Sequence, residues 1–233
     1  MKACVVVPTF NEKENVPRLV QEVKALGVPG LELLFVDDSS PDGTRAVIEE
    51  VSAGEPWVRL MTRERKMGIG SAYRDGFRRA LETMDPDALV EMDADLQHPP
   101  STLLGLLRAV EGGADVAIAS RYVEGGAVEG WSRWRRMVSG GANAYARFML
   151  RLPVRDCTSG FRAYDRAAAK RIVEAEMPAK GFEFQVATLH LLRKEAKMVE
   201  VPYTFSPRRA GKSKLGIRDM LAFFVSVLRM SMG

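Results

Sequence analysis

Cysteine, histidine and long apolar runs are all scarce in this chain. Its 233 residues include two cysteines, Cys4 and Cys157, and two histidines. Two isolated cysteines build neither a disulfide framework nor a zinc site, and they fit a reducing compartment. No window reaches the roughly 18–20 consecutive apolar residues of a membrane-spanning helix. The opening MKACVVVPTFNE carries one lysine and an apolar run that stops at Pro8, too short for a signal peptide and suited to a buried strand. A large excess of one charge is missing as well: the net charge is +4, so local clusters matter more than a global field. With 46% hydrophobic and 27% charged residues, the composition is that of a soluble globular protein and argues against a disordered or fibrous class.

The glycine signatures of common nucleotide and hydrolase folds are missing too. A dinucleotide-binding fold needs its glycine fingerprint after the first strand, where PTFNE stands; the only G-x-G is Gly68-Ile69-Gly70. There is no P-loop, and no G-x-S-x-G nucleophile elbow.

What is present is a regular alternation. Short apolar runs occur at 3–7, 31–36, 58–61, 88–92 and 115–120. Segments of helical period lie between them, at 14–26, 41–53, 68–83 and 100–111. This predicts βαβ units in one α/β domain, a mostly parallel, twisted sheet flanked by helices. After residue 120 come a glycine-rich loop, a mixed aromatic and arginine segment (131–151), a helix near 183–196, a strand near 198–203 and the basic loop SPRRAGKSKLG (206–216).

In such sheets ligands bind beyond the carboxyl ends of the strands. Those places hold PTFNE (8–12), DDSSPDGT (37–44) and DADLQ (93–97). Asn11 reads as a cap of the first helix, and Ser40 before Pro41 as a cap of the second. Neither accounts for the adjacent Asp37 and Asp38. In an extended chain Asp93, Asp95 and Gln97 share one face, and three oxygen ligands suit Mg²⁺ or Mn²⁺ rather than zinc. His98 reads as a loop residue rather than a ligand. Glu91, one position before Met92, has no assigned role.

VVVPTFNEKENV, VDDSSPDGT, RKMGIGSAYRDG, MDADLQHPP, CTSGFRAY and GKSKLG stand in an order that resembles family 2 glycosyltransferases of the GT-A fold, over about residues 3–220. More narrowly the chain resembles the polyprenyl-phosphate mannosyltransferases, the dolichol-phosphate mannose synthases. The resemblance implies transfer of mannose from GDP-mannose to dolichyl or another polyprenyl phosphate, with inversion. It implies a donor site of Pro8, Phe10, Glu12, Val36, Asp38, Lys66, Asp93 and Ala94, and a Mg²⁺ or Mn²⁺ held by Asp93, Asp95 and Gln97. Phe10 stands where the family usually has tyrosine, and Ser39 where it often has glycine, a position needing positive φ.

No general base is required, because a phosphate monoester has its second pKa near about 6 and is already a nucleophile at neutral pH. It needs a cationic cradle. Arg121, Arg135, Arg208 and Lys214 match basic positions of the family, with Ser139, Asp156 and Arg162 in matching acceptor-side segments. Asp95, Arg121, Arg135 and Arg208 are the residues expected to act in transfer. The expected organisation is a catalytic domain over 1–215 and an amphipathic juxtamembrane helix over 216–233. That helix and residues 131–150 suit a membrane interface. The family implies peripheral attachment to the cytoplasmic face of a membrane, the ER in a eukaryote and the cell membrane in a prokaryote, with a small membrane-embedded subunit as partner. Nucleic acid is not expected, because no binding module matches. A UDP-glucose donor, another nucleotide sugar, and a non-catalytic sugar-nucleotide-binding subunit are the alternatives.

Overall fold

A computed structural model describes residues 1–177, 181, 183–206 and 217–232, with backbone alone over 217–221. The chain runs β1 (Ala3–Thr9), α1 (Val16–Lys24), β2 (Leu31–Asp37), α2 (Thr44–Gly54), β3 (Val58–Thr62), α3 (Ile69–Thr83), β4 (Ala88–Glu91) and α4 (Thr102–Glu111). It continues through β5 (Val116–Ser120), β6 (Ala127–Val128), α5 (Arg133–Leu150), β7 (Arg162–Asp165), α6 (Arg166–Glu174), α7 (Phe184–Leu192), β8 (Met198–Pro202), β9 (Thr204–Phe205) and α8 (Ile217–Ser231).

Seven strands form one sheet in the order β3-β2-β1-β4-β7-β5-β8. The pairs β3–β2, β2–β1, β1–β4 and β5–β8 are parallel, and β7 runs antiparallel to both its neighbours. The expected mostly parallel α/β sheet is therefore present, with one reversed strand. A short parallel pair, β6–β9, stands beside it.

The runs barely alternate because the sheet is covered on both faces. Val5 and Val7 of β1 join one core with Leu19 and Val23 of α1 and Leu103 and Leu106 of α4. Cys4 and Val6 point the other way, into a core shared with Phe77 of α3, Ile172 of α6 and Leu189 of α7. Helix α3 crosses β1 closely: a Cβ on Gly76 would lie 2.4 Å from Val6 Cγ1.

Helix α8 packs against α5 and α7, with Val227 and Phe223 buried and Phe224 against the Tyr145 ring at 5.0 Å. The expected boundary at 215/216 lies outside the described residues, as do Arg208 and Lys214.

Candidate active site

The sheet order sets the carboxyl ends of β2, β1 and β4 side by side, and the three acidic segments leave from them. Beyond β1 the Thr9 hydroxyl donates to Asp37 Oδ1 at 3.0 Å. The chain then turns at Asn11, whose φ is 61° and whose N–H donates to Ser40 Oγ. Asp37, fully buried, also accepts from the Ser40 N–H and hydroxyl. The first of the paired aspartates is thus spent on joining two loops. The capping expectations for Asn11 and Ser40 are corrected here. Helix α1 begins after Asn15 and α2 after Gly43, because the Ser40 hydroxyl is committed to Asp37 and Asn11 to the left-handed turn.

Asp38 has a different partner. Its Oδ1 accepts from Arg63 Nε at 2.5 Å, just past β3. Arg63 also donates to Ser71 Oγ and to Asp75 of α3. Burial opposes the Arg63 charge, but Asp38 and Asp75 outweigh it and raise the guanidinium's pKa. Between the two aspartate-bearing loops Ser39 sits at φ 54°, the glycine-like conformation expected there, and its hydroxyl donates to the Arg63 carbonyl at 2.6 Å.

At this corner Pro8 is the register partner of Val36. Lys66 Nζ stands 4.3 Å from the centre of the Phe10 ring, a cation–π contact. Glu12 accepts from Asn15 Nδ2. The Val36 side chain is buried on the α3 side, so it can meet a ligand only through its main chain. The glycines of the RKMGIGSA turn answer to the fold: Gly68 precedes α3 at φ 100°, and a Cβ on Gly70 would lie 2.5 Å from Phe184 Cβ.

Beyond β4 the chain is a turn and not an extended strand, which corrects the period-two placement of Asp93, Asp95 and Gln97. Leu96 has φ 61°, and Asp95 Oδ1 accepts from the Gln97 N–H at 3.1 Å. The segment follows turn geometry, which strand alternation does not describe. Tyr73 donates to Asp93 Oδ1 at 2.9 Å; burial first, and then the Asp93 charge, raise the phenol's pKa. His98 Nδ1 accepts from the Asp93 N–H, and its ring stacks on Phe161 at 4.9 Å, so His98 is a strut for the turn. Ala94 is buried within it.

Arg121 follows β5, whose carboxyl end shares the sheet edge of β4 because both run against β7. Its Nε and Nη2 donate to the two Asp156 oxygens at 2.7 Å each, and Nη2 also to Thr158. Burial pushes the Asp156 carboxyl up, but the Arg121 guanidinium outweighs this and holds it below the usual range. Arg121 and Arg135 flank the Trp131 ring, with guanidinium carbons 5.6 and 4.3 Å from its centre. Ser139 Oγ accepts from Tyr122 at 2.9 Å. Arg162, by contrast, is wholly buried and donates to the carbonyls of Gln185 and Cys157, which makes it a framework residue.

The donor set fits a hard divalent cation. Among the described residues no group of three or more His, Cys, Asp or Glu forms a cage. Two carboxylates and an amide oxygen, with His98 Nδ1 already taken, suit an ion whose remaining positions are filled by water and substrate phosphates. Gln97 Nε2 donates to the Ser206 carbonyl, which ties the turn to the end of β9.

Arg63 and the roles of Tyr73 and His98 were missed in the sequence. Arg63 and Tyr73 were findable: one follows an apolar run, as the acidic segments do, and the other is a tyrosine inside a helical segment facing the sheet.

The model of the family described as glycosyl transferase family 2 matches residues 4–173. The chain is 44% identical over 217 residues to a polyprenol monophosphomannose synthase of Mycolicibacterium smegmatis, covering 92% of this chain and 81% of that protein. It is 38% identical to a dolichol-phosphate mannosyltransferase of Pyrococcus furiosus, covering 99% of this chain but 64% of that longer protein. Among solved structures, a glucosyl-3-phosphoglycerate synthase from Mycobacterium tuberculosis in complex with UDP superposes with a TM-score of 0.69 at 20% identity, covering 99% of this chain and 80% of that one. At that identity the likeness is one of fold alone.

Proposed function

The chain belongs to glycosyl transferase family 2, and from that premise we propose that it transfers mannose from GDP-mannose to the phosphate of dolichol or another polyprenol, with inversion. The observation that carries this reading is the 44% identity to a polyprenol monophosphomannose synthase across 92% of the chain. The site's chemistry agrees with it. The ends of β1 and β2 hold the nucleoside through Phe10, Glu12, Asp38 and Lys66. Asp93, Asp95 and Gln97 hold Mg²⁺ or Mn²⁺, which when bound neutralises charge on the departing diphosphate.

Arg121 and Arg135 lie on the acceptor side, with Arg208 and Lys214 of the basic loop completing the cradle. Because Asp156 takes two of its donors, Arg121 is a rigidly aimed, largely neutralised cation. The lipid phosphate oxygen bonds to the anomeric carbon as the nucleoside diphosphate leaves from the opposite face. Residues 1–215 form the catalytic unit. The exposed Trp134, Met137 and Phe148 of α5, with Val225 and Leu228 of α8, rest on the cytoplasmic face of the bilayer. No helix of the described residues is long and apolar enough to cross a membrane. In this reading attachment is peripheral, with a membrane-embedded subunit as the expected partner.

The test is direct. Purified protein, GDP-mannose, Mg²⁺ or Mn²⁺ and dolichyl phosphate yield a mannolipid, and UDP-glucose does not substitute. Absence of product with every lipid phosphate tried, or a preference for UDP-glucose, overturns the acceptor or the donor respectively.

A further inference from the structure

Asp38 is placed at the donor corner by the reading above, but nothing in that reading says what holds it there. The residue that does so is Arg63. Its side chain is almost wholly buried, and it is one of few buried cations in the sheet's carboxyl edge. The main chain fixes it on one side: its N–H donates to the Asp37 carbonyl at 2.8 Å, and its own carbonyl accepts from Ser39. The guanidinium then divides its donors. Nε goes to Asp38 Oδ1, and Nη1 goes to Ser71 Oγ at 2.8 Å and Asp75 Oδ2 at 3.0 Å. Two carboxylates on two different elements therefore share one cation.

We propose that Arg63 is a positioning and affinity residue for the nucleoside half of a nucleoside-diphosphate donor, acting through Asp38. It makes this carboxylate tolerable beside a polyanion and fixes its rotamer. Asp38 Oδ2 enters no hydrogen bond with the described residues and remains for an N–H or hydroxyl of the ligand. Arg63 further ties that carboxylate to the first turns of α3, through Ser71 and Asp75, so the base-side loop and the helix that carries Tyr73 move as one body. A lysine cannot reproduce this, because it lacks the planar fork that serves separate acceptors.

The inference rests on the donor reading, and the experiment separates the two. GDP and UDP, each with Mg²⁺, are titrated calorimetrically into wild type, Arg63→Lys, Arg63→Gln, Asp38→Asn and the double variant Arg63→Gln/Asp38→Asn. For whichever nucleotide wild type binds, both Arg63 variants are expected to raise Kd by about tenfold or more, as for a lost charge-assisted bond. In turnover they raise the KM of the nucleotide sugar by a similar factor and leave the KM of the lipid phosphate within about twofold. In the Asp38→Asn background the further loss on removing Arg63 is expected to shrink below about threefold. Arg63→Lys keeps the buried charge, and it supplies the answer if Arg63→Gln does not fold. Unchanged nucleotide affinity alongside a lowered melting temperature reduces Arg63 to a framework residue and overturns the proposal. An undiminished penalty in the Asp38→Asn background overturns the route through Asp38. Nucleotide binding without any mannolipid product counts against the proposed function and leaves the inference standing; a wild-type chain that binds neither nucleotide overturns both.

Discussion

Glu91 and Arg162 face each other across the antiparallel β4–β7 pairing, and both are wholly buried. Arg162 spends its terminal nitrogens on Gln185, Thr188 and Cys157. Both Glu91 oxygens are buried without a geometrically sound hydrogen bond among the described residues, although Gln185 and Tyr164 stand near enough to favour the charged form. Burial is the larger effect: it pushes the carboxyl up to about 7 against the pull of Arg162.

The sign of the resulting pH dependence follows. The folded state holds the proton more tightly than the unfolded chain, whose carboxyl titrates near about 4.3. The stability from neutral Glu91 is fully present below that value and is lost as pH rises towards 7. In Glu91→Gln this loss disappears. Unfolding free energies from urea titration in EDTA at pH 5 and pH 8 are expected to differ less in the variant, by on the order of 2–3 kcal/mol. Parallel pH profiles for the two proteins would mean that Glu91 stays ionised.

Asp95 tests the metal. Its Oδ1 braces the turn by accepting from the Gln97 N–H, so Asp95→Ala is expected to lower the melting temperature by at least the few degrees of that hydrogen bond. Turnover is expected to fall by at least about 100-fold. Excess EDTA reproduces the loss in wild type, and Mg²⁺ or Mn²⁺ restores it. Wild-type rates in EDTA would remove a metal from the mechanism.

The Arg121–Asp156 pair makes the opposite prediction, a large effect on folding. Removing one partner of a buried, bidentate pair typically costs about 3–5 kcal/mol. At about 2–4 °C per kcal/mol for a chain of this size, Asp156→Ala should melt about 6 °C or more below wild type by calorimetry. Glu49→Ala, which breaks an exposed pair with Arg45 one turn away in α2, is expected to leave the melting temperature where it is. Equal shifts for the two variants would show that burial does not set the value of the Arg121 pair.

The sheet was legible because two-sided burial writes unbroken apolar runs, and the acidic segments were legible because they follow those runs. What could not be read was anything decided by a turn or by a distant partner. Asp93, Asp95 and Gln97 have strand spacing in the sequence, yet Leu96 at φ 61° folds them into a turn. Asp37 and Asp38 are neighbours in the chain, and only the loops they meet separate a strut from a candidate ligand contact. The lack of a side chain at Gly70 is explained only by Phe184, more than a hundred residues on, which a Cβ there would meet at 2.5 Å. Reversed β7 was hidden because its four residues, Arg162–Asp165, begin and end on a charge and write no apolar run.

Helix α5 supplies the last test. Trp134, Met137 and Phe148 lie exposed along it, at 68%, 62% and 82% of their surface, too much to be ordinary core residues. The same helix carries Arg133, Arg135, Arg136 and Arg147 and no acidic residue. A helix that pairs aromatic bulk with positive charge suits a bilayer whose surface is anionic. Burying each aromatic ring in the interface is worth about 1–3 kcal/mol. Trp134→Ser with Phe148→Ser should therefore weaken binding to vesicles containing anionic phospholipid by at least about tenfold in co-sedimentation. Turnover of bilayer-embedded polyprenyl phosphate should fall with it. Turnover of a short, water-soluble polyprenyl phosphate should not, since both rings are largely exposed to solvent. Loss of activity on both acceptors would assign these side chains to the catalytic site, and unchanged vesicle binding would move the membrane contact elsewhere on the chain.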